Sequence, residues 1–270
     1  MRNATVAGKL HVGIDRVRWL LMNPWMIGVP SAVLAGLAGI TAYSAVNSRT
    51  QLFGPAVCHT RSARHLALTF DDGPNPAITP HLLDLLAKHN AKATFFLVGK
   101  FVRECPDLAK EIAARGHVIG NHTDTHPNLF FSGPEETKEQ LVRCQEAIHR
   151  ATWAAPRWFR PPFGFRSPWL IEIAQRHGMR TAMWTSLPGD WRAKSAEWLI
   201  ERLRFVGTQA QPEINQIAKG AATTGEVLCL HDGDYAHQNG DRRRTLEALA
   251  YWLPRWRDLS LEFVTMDDAL

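Results

Sequence analysis

The chain has 270 residues, 45% hydrophobic and 21% charged, a balance that supports a buried core and excludes a disordered or fibrous protein. Its formal charge of +5 is local. Residues 1–18 carry Arg2, Lys9, Arg16 and Arg18 against Asp15, and the near-neutral remainder excludes an extended nucleic-acid surface.

Residues 19–48 contain no Asp, Glu, Lys or Arg, and the run from Trp25 to Val46 is apolar or small throughout. Roughly 20 apolar residues cross a bilayer as a helix. Basic residues before the run place residues 1–18 on the cytoplasmic side, with the rest of the chain outside. Two readings stay open: a permanent single-pass anchor in the cytoplasmic membrane, which the length favours, and a cleaved signal with "AYS" before Ala45 as its small-residue site. Residues 49–63 read as a polar linker.

From residue 64 the pattern alternates between short apolar runs and helical stretches. Strands are expected at His65–Phe70, Ala93–Val98, Val118–Gly120, Trp158–Arg160, Thr181–Trp184, Val227–Leu230 and Leu261–Val264. Helices are expected at Thr79–Asn90, Phe101–Arg115, Pro134–Arg150, Pro168–His177, Ala196–Phe205 and Arg242–Trp256. Pro134 opens its helix with acids in the first turn, and Gly116 and Gly178 stop theirs. Strand–helix alternation implies a parallel sheet with helices outside, here an α/β barrel of about seven strands. The triplet Arg242-Arg243-Arg244 reads as a solvated helix face. None of the four cysteines sits in a C-x-x-C pair, which argues against a structural zinc knuckle. Cys105 and Cys144 could pair in an oxidising compartment, although spacing alone does not show it.

In such folds chemistry gathers at the C-terminal ends of the strands. Each exit here carries polar residues: "FDDGP" with Asp71 and Asp72, "GNHTDTH" with His122 and His126, "FRPPFG" with Arg160, "SLPGDW" with Asp190, and "LCLHDGD" with His231. Two imidazoles four residues apart share a face if they lie on one helical turn. With one carboxylate of the aspartate pair they make a three-ligand site with open positions, the pattern of catalytic zinc. The second carboxylate would remain free as a base, Arg160 could hold it by paired hydrogen bonds, and His231 could protonate a leaving group.

These residues carry a resemblance to the NodB-homology polysaccharide deacetylases, carbohydrate esterase family 4. It spans about residues 64–270, and "TFDDGP", "HTDTH", "RPPFG", "DW" and "LCLH" resemble the family's five motifs in order. The resemblance implies a distorted (β/α) barrel and metal-dependent hydrolysis of N-acetyl, sometimes O-acetyl, groups on sugars such as peptidoglycan or chitin-like oligosaccharides. It also implies the roles. Asp71 resembles the general base, Asp72, His122 and His126 the metal ligands, and Arg160 the residue orienting the base. His231 resembles the general acid, Asp190 the residue tuning it, Phe163 the donor of a backbone N–H to the oxyanion, and Trp191 and Leu228 the acetyl-pocket lining. Zinc is the expected metal, with cobalt or nickel as alternatives. The partners expected are a glycan and the membrane, with no nucleic acid and no obligate protein.

Three features depart from the pattern. Phe163 stands where many members have Tyr, Leu187 stands where the fourth motif often begins with Asp, and residues 205–225 look longer than the usual connection. Two other functions share much of the pattern. One is a deacetylase or deformylase of a lipid-linked amino sugar, and the other a non-catalytic carbohydrate-binding domain, against which the complete set of polar residues argues.

Overall fold

The computed structural model describes residues 25–208 and 223–270, with side chains from Val33 onward. The chain divides into two compact units, Met1–Ser44 and Ala45–Leu270. In the first, the described residues belong to helix α1, Trp25–Val46, whose last two residues fall in the second unit. Val33, Leu34, Leu37, Ile40 and Tyr43 on α1 are exposed. No helix among the described residues is long and apolar enough to cross a membrane. The first part of the expected span, residues 19–24, lies outside the described residues, as does the basic segment 1–18.

The second unit is built on one nine-stranded sheet. Its strands are β1 (Ala56–Val57), β2 (His59–Thr60), β3 (His65–Gly73), β4 (Thr94–Leu97), β5 (Val118–Asn121), β6 (Trp158–Phe159), β7 (Arg180–Ala182), β8 (Gly225–His231) and β9 (Glu262–Val264). The order is β1-β7-β6-β5-β4-β3-β8-β2, with β9 also on β3, and every pairing is parallel except β2 with β8. The chain leaving β7 closes the curve. Ser186 bridges to Leu228 of β8, with Thr185 N–H donating to the Val227 carbonyl at 3.0 Å and Cys229 N–H to the Ser186 carbonyl at 2.9 Å. The result is a barrel-shaped sheet, as the strand–helix alternation implies.

The helices packed outside it are α2 (Thr79–Lys88), α3 (Gly99–Glu104), α4 (Pro106–Ala114), α5 (Pro134–Thr152), α6 (Leu170–Arg176), α7 (Ala196–Leu203) and α8 (Arg243–Asp258). Successive strand side chains alternate between faces. Leu66, Leu68, Phe70, Leu228 and Leu230 therefore meet helix residues such as Leu82, Leu83, Leu249 and Trp256 in the outer core. Ala67, Phe96, Trp158, Ala182, Val227 and Met266 fill the interior. The top of the interior is left to polar residues.

Several expectations change. Residues 49–63 are not a free linker: β1 and β2 pair with β7 and β8, and buried Arg166 donates to the Thr50 carbonyl at 2.8 Å. Runs of two residues are too short to show a period, so the sequence hid them. The helix expected over Phe101–Arg115 is two helices, because Pro106 cannot donate the bond a continuous helix needs there. All four cysteines are free thiols, so Cys105 and Cys144 do not pair. Within the long 205–225 connection, residues 209–222 lie outside the described residues.

Candidate active site

A cavity of about 540 Å³ opens at the C-terminal end of the barrel, lined among others by Asp71, Asp72, His122, His126, Phe163, Trp191, Cys229 and His231.

Asp71 and Asp72 are consecutive on a strand, so a regular pleat would aim them to opposite faces. The register between β3 and β4 slips between Asp71 and Gly73, and Asp72 takes a left-handed φ of 71°. This irregularity swings both carboxylates to one side. Gly73 follows of necessity: a Cβ there would lie 2.6 and 2.7 Å from the carboxylate oxygens of Asp232. Asn75 ties the turn down, donating from Nδ2 to the Asp232 carbonyl at 3.0 Å and the Gly240 carbonyl at 2.9 Å.

The two histidines lie on a loop after β5, not on the helical turn that their spacing suggests. Thr123 and His126 have φ of 68° and 61°, which breaks any helix. Side chains supply the missing order. The Asn121 Oδ1 accepts from Thr123 N–H at 2.8 Å, Thr123 Oγ1 from His126 N–H at 3.0 Å, and Gln140 Oε1 from Asp124 and Thr125 N–H at 3.0 and 2.9 Å. Gly99 and Lys100, opening α3, donate to the Thr123 and Asp124 carbonyls. Asp124, between the two histidines, is not at the solvent. It is buried, with Arg103 at 2.6 Å and Arg143 at 3.3 Å holding its carboxylate under the loop.

Oδ1 of Asp72 lies 3.5 Å from His122 Nε2 and 3.2 Å from His126 Nε2. The His122 Nδ1–H donates to the Arg160 carbonyl at 2.8 Å, because a carbonyl can only accept. In the neutral tautomer that this bond selects, Nε2 of His122 presents a lone pair to an acceptor oxygen. That oxygen is buried and has no hydrogen-bond donor among the described residues. Electron pairs converging in this way suit a cation, and the donor set of two imidazoles and a carboxylate suits a divalent one. Burial alone would raise the Asp72 pKa, but positive charge on the imidazoles of His122, His231 and His126, a charge that a bound cation would supply instead, outweighs it and holds the carboxyl well below its usual range. Burial, reinforced by His122 and opposed by Asp72 and Asp71, pushes His126 down to about 3, so its ring is neutral and able to ligate.

Asp71 is held from behind. Arg160, fully buried, donates from Nη1 to Asp71 Oδ1 at 2.8 Å and to Thr69 Oγ1 at 2.7 Å. Nη2 donates to the Met183 carbonyl at 3.1 Å, and the guanidinium lies 4.1 Å from the Phe96 ring centre. The pairing with Asp71 is through one nitrogen rather than two, since the other is spent on the barrel backbone. The Cys229 thiol donates to Asp71 Oδ2 at 3.3 Å.

His231 enters from β8. Its Nδ1–H donates to Asp190 Oδ1 at 2.8 Å, while Asp190 Oδ2 accepts from His231 N–H at 2.8 Å and from Thr245 Oγ1 at 3.1 Å. Burial would lower the imidazole pKa, but Asp190, then Asp72 and Asp71, overcome it and raise the ring to about 9. Trp191 stands edge-on to His231, ring centres 4.9 Å apart. On the opposite wall Tyr235 stacks on His126 at 4.4 Å, and Phe163 meets the same ring at 4.7 Å.

Nine of the ten residues singled out in the sequence thus converge, seven directly on the cavity and Arg160 and Asp190 just behind. Leu228 does not converge: it is fully buried and faces the helices, since it is out of phase with Cys229 and His231 on β8. Sequence reasoning missed Tyr235, Asp234 and Arg242. Arg242 lines the cavity and pairs with Asp234 at 3.3 Å rather than facing solvent with its neighbours. No motif marks these residues, because the folding of the loop after β8 brings them in. Asp232 follows His231 at the same strand exit. It is buried, accepts from Thr79 Oγ1, and burial pushes its pKa up to about 7 despite that bond.

With this geometry in view, comparison with known proteins is direct. Residues 59–182 match the polysaccharide deacetylase family. The chitooligosaccharide deacetylase of Azorhizobium caulinodans is 35% identical over 210 residues, covering 75% of this chain and 93% of that protein. A peptidoglycan-N-acetylglucosamine deacetylase of Bacillus cereus is 33% identical over 201 residues, covering 74% of this chain and 66% of the relative. Among solved structures, the Bc1960 peptidoglycan N-acetylglucosamine deacetylase, in complex with 4-naphthalen-1-yl-N-oxidanyl-benzamide, superposes with a TM-score of 0.67. It is 30% identical, and the match covers 79% of this chain and 91% of that one.

Proposed function

The chain belongs to the polysaccharide deacetylase family, hydrolases of carbon–nitrogen bonds, and from that premise we propose that it removes the N-acetyl group from N-acetylglucosamine units of a glycan. The observation that carries this reading is the convergence of Asp72 Oδ1 with two imidazole Nε2 atoms beside a carboxylate held by Arg160 and an imidazole held by Asp190. The names of the relatives support peptidoglycan or chitooligosaccharide as the glycan.

Asp72, His122 and His126 would hold a divalent cation, zinc by the softness of the imidazole pair, which polarises the acetamide carbonyl and acidifies water. Asp71 accepts the proton of the attacking water. Arg160 fixes Oδ1, which leaves Oδ2 turned to the cavity. The backbone N–H of Phe163, on the cavity wall, stabilises the developing oxyanion. His231 is a cation at neutral pH and protonates the departing amine, with Asp190 fixing its tautomer. Trp191 and Phe163 shield the acetyl group from bulk water. Acetate and a free amino sugar leave.

Asp71→Asn against Asp72→Asn tests the division of labour. The first variant is expected to bind zinc as the parent does while losing turnover, and the second to lose zinc affinity as well. Full acetate release by Asp71→Asn would overturn the assignment of the base.

The uncharged run 19–48 and the exposed apolar side chains of α1 support a membrane anchor with the catalytic unit on the extracytoplasmic side. Recovery of the full chain in the membrane fraction, released by detergent but not by salt, tests this. Release by salt alone would refute it.

A further inference from the structure

Cys229 is a buried thiol for which the deacetylation has no use. It sits two residues before His231 on β8, so both side chains point into the barrel. Its Sγ is 3.3 Å from Asp71 Oδ2. An oxygen of Asp71, Sγ of Cys229 and a ring nitrogen of His231 all lie within 4.8 Å of one another, and all three residues line the cavity. None of the three is among the ligands of the first site, Asp72, His122 and His126.

We propose that Asp71, Cys229 and His231 form a second metal site, selective for thiophilic cations, whose occupation switches the enzyme off. The reasoning is one of ligand chemistry. The first site offers two imidazoles and a carboxylate. The second offers a thiolate, an imidazole and a carboxylate, a set that favours cadmium, zinc or copper(I) over magnesium, manganese or calcium. Nδ1 of His231 is committed to Asp190, which leaves Nε2 to bind, in the carboxylate–histidine–metal arrangement common at metal sites. Binding displaces one proton from the thiol and one from the imidazolium, both to solvent: M²⁺ with Cys-SH and HisH⁺ gives the metal–thiolate–imidazole complex and two H⁺. No oxidant or reductant is involved. The consequence is specific, because one ion would tie up both the carboxylate assigned as base and the imidazole assigned as acid. Arg160 stays on Asp71 Oδ1 and does not obstruct Oδ2. This inhibitory reading rests on the roles proposed above for Asp71 and His231, whereas the existence of the site does not.

The test uses the full chain loaded with one equivalent of zinc, then titrated with cadmium. A second equivalent is expected to bind, with a thiolate-to-cadmium charge-transfer absorption and loss of acetate release in parallel. Cys229→Ser and Cys229→Val should each stop at one equivalent, show no charge-transfer band and resist cadmium inhibition at least tenfold relative to their own uninhibited rates. Magnesium should do nothing to any of the three proteins. Two folded variants guard against a failure of either to fold. A second equivalent with the thiolate band but without inhibition would keep the site and refute the assigned roles. Binding and inhibition that persist in both variants would overturn the proposal.

Discussion

Asp190→Asn isolates the acid half of the site. In the parent, Asp190 accepts from His231 at both ring and backbone, and the imidazole is held at about 9 although burial pulls it below 6.5. The gap between 6.5 and about 9 is worth about 3 kcal/mol in favour of the protonated ring. Asparagine preserves shape and can still accept from Nδ1, but it removes the first charge responsible. The ring should then titrate at or below its ordinary value. At pH 8 the protonated fraction falls from about nine-tenths to about three-hundredths, so kcat/KM should drop roughly 30-fold and recover toward acid. The assay is acetate release from N-acetylated chitooligosaccharide across pH 5–10. A bound dication lowers the ring pKa in parent and variant alike, so the displacement between their basic limbs is the quantity to read. The same ring contributes to stability. Its folded pKa is raised, so that contribution is complete below 6.5 and is lost as pH rises through about 9. Denaturant midpoints should show that slope in the parent and lose it in Asp190→Asn. Coincident basic limbs in the two enzymes would refute the reasoning.

Arg160→Met removes the guanidinium that pairs directly with Asp71, leaving a nearly inaccessible carboxylate without its ion-pair partner, and should cost about 3–5 kcal/mol of stability by urea unfolding. The double variant Asp71→Asn/Arg160→Met should regain most of that stability without regaining activity. Gly99→Ala would put a Cβ 2.5 Å from Asp124 Oδ1 and 2.9 Å from Cys144 Cα, pressing on the loop that carries both histidines. Zinc affinity, followed by competition with a chelator, should fall by tenfold or more while the far-ultraviolet circular dichroism stays unchanged.

Much of the catalytic unit could be read directly. The apolar runs at β3, β4 and β8 stand out as nearly unbroken stretches because both faces of each are buried. Gly116 and Gly178 end helices where the sequence places the ends, with φ of 78° and 76°. What escaped notice was short or non-local. β1 and β2 have two residues each and exist only because the edges of the sheet need partners. Arg242 looks like its neighbours Arg243 and Arg244 until the loop after β8 carries it to Asp234.

The division is sharpest at the site. Composition, alternation and the order of polar residues at strand exits were enough to determine a barrel with a metal-type ligand set at one end, because each of these signals is local. Tertiary structure alone decided how the side chains converge. Consecutive aspartates on a strand should diverge, and two histidines off a helix need not share a face. A register slip at Asp72 and a loop held by Asn121, Thr123 and Gln140 bring them together, at the cost of left-handed backbone at Asp72, Thr123 and His126. Such backbone persists only where surrounding contacts over-determine it, and here loop side chains are joined by Gln140 of α5 and the first amides of α3.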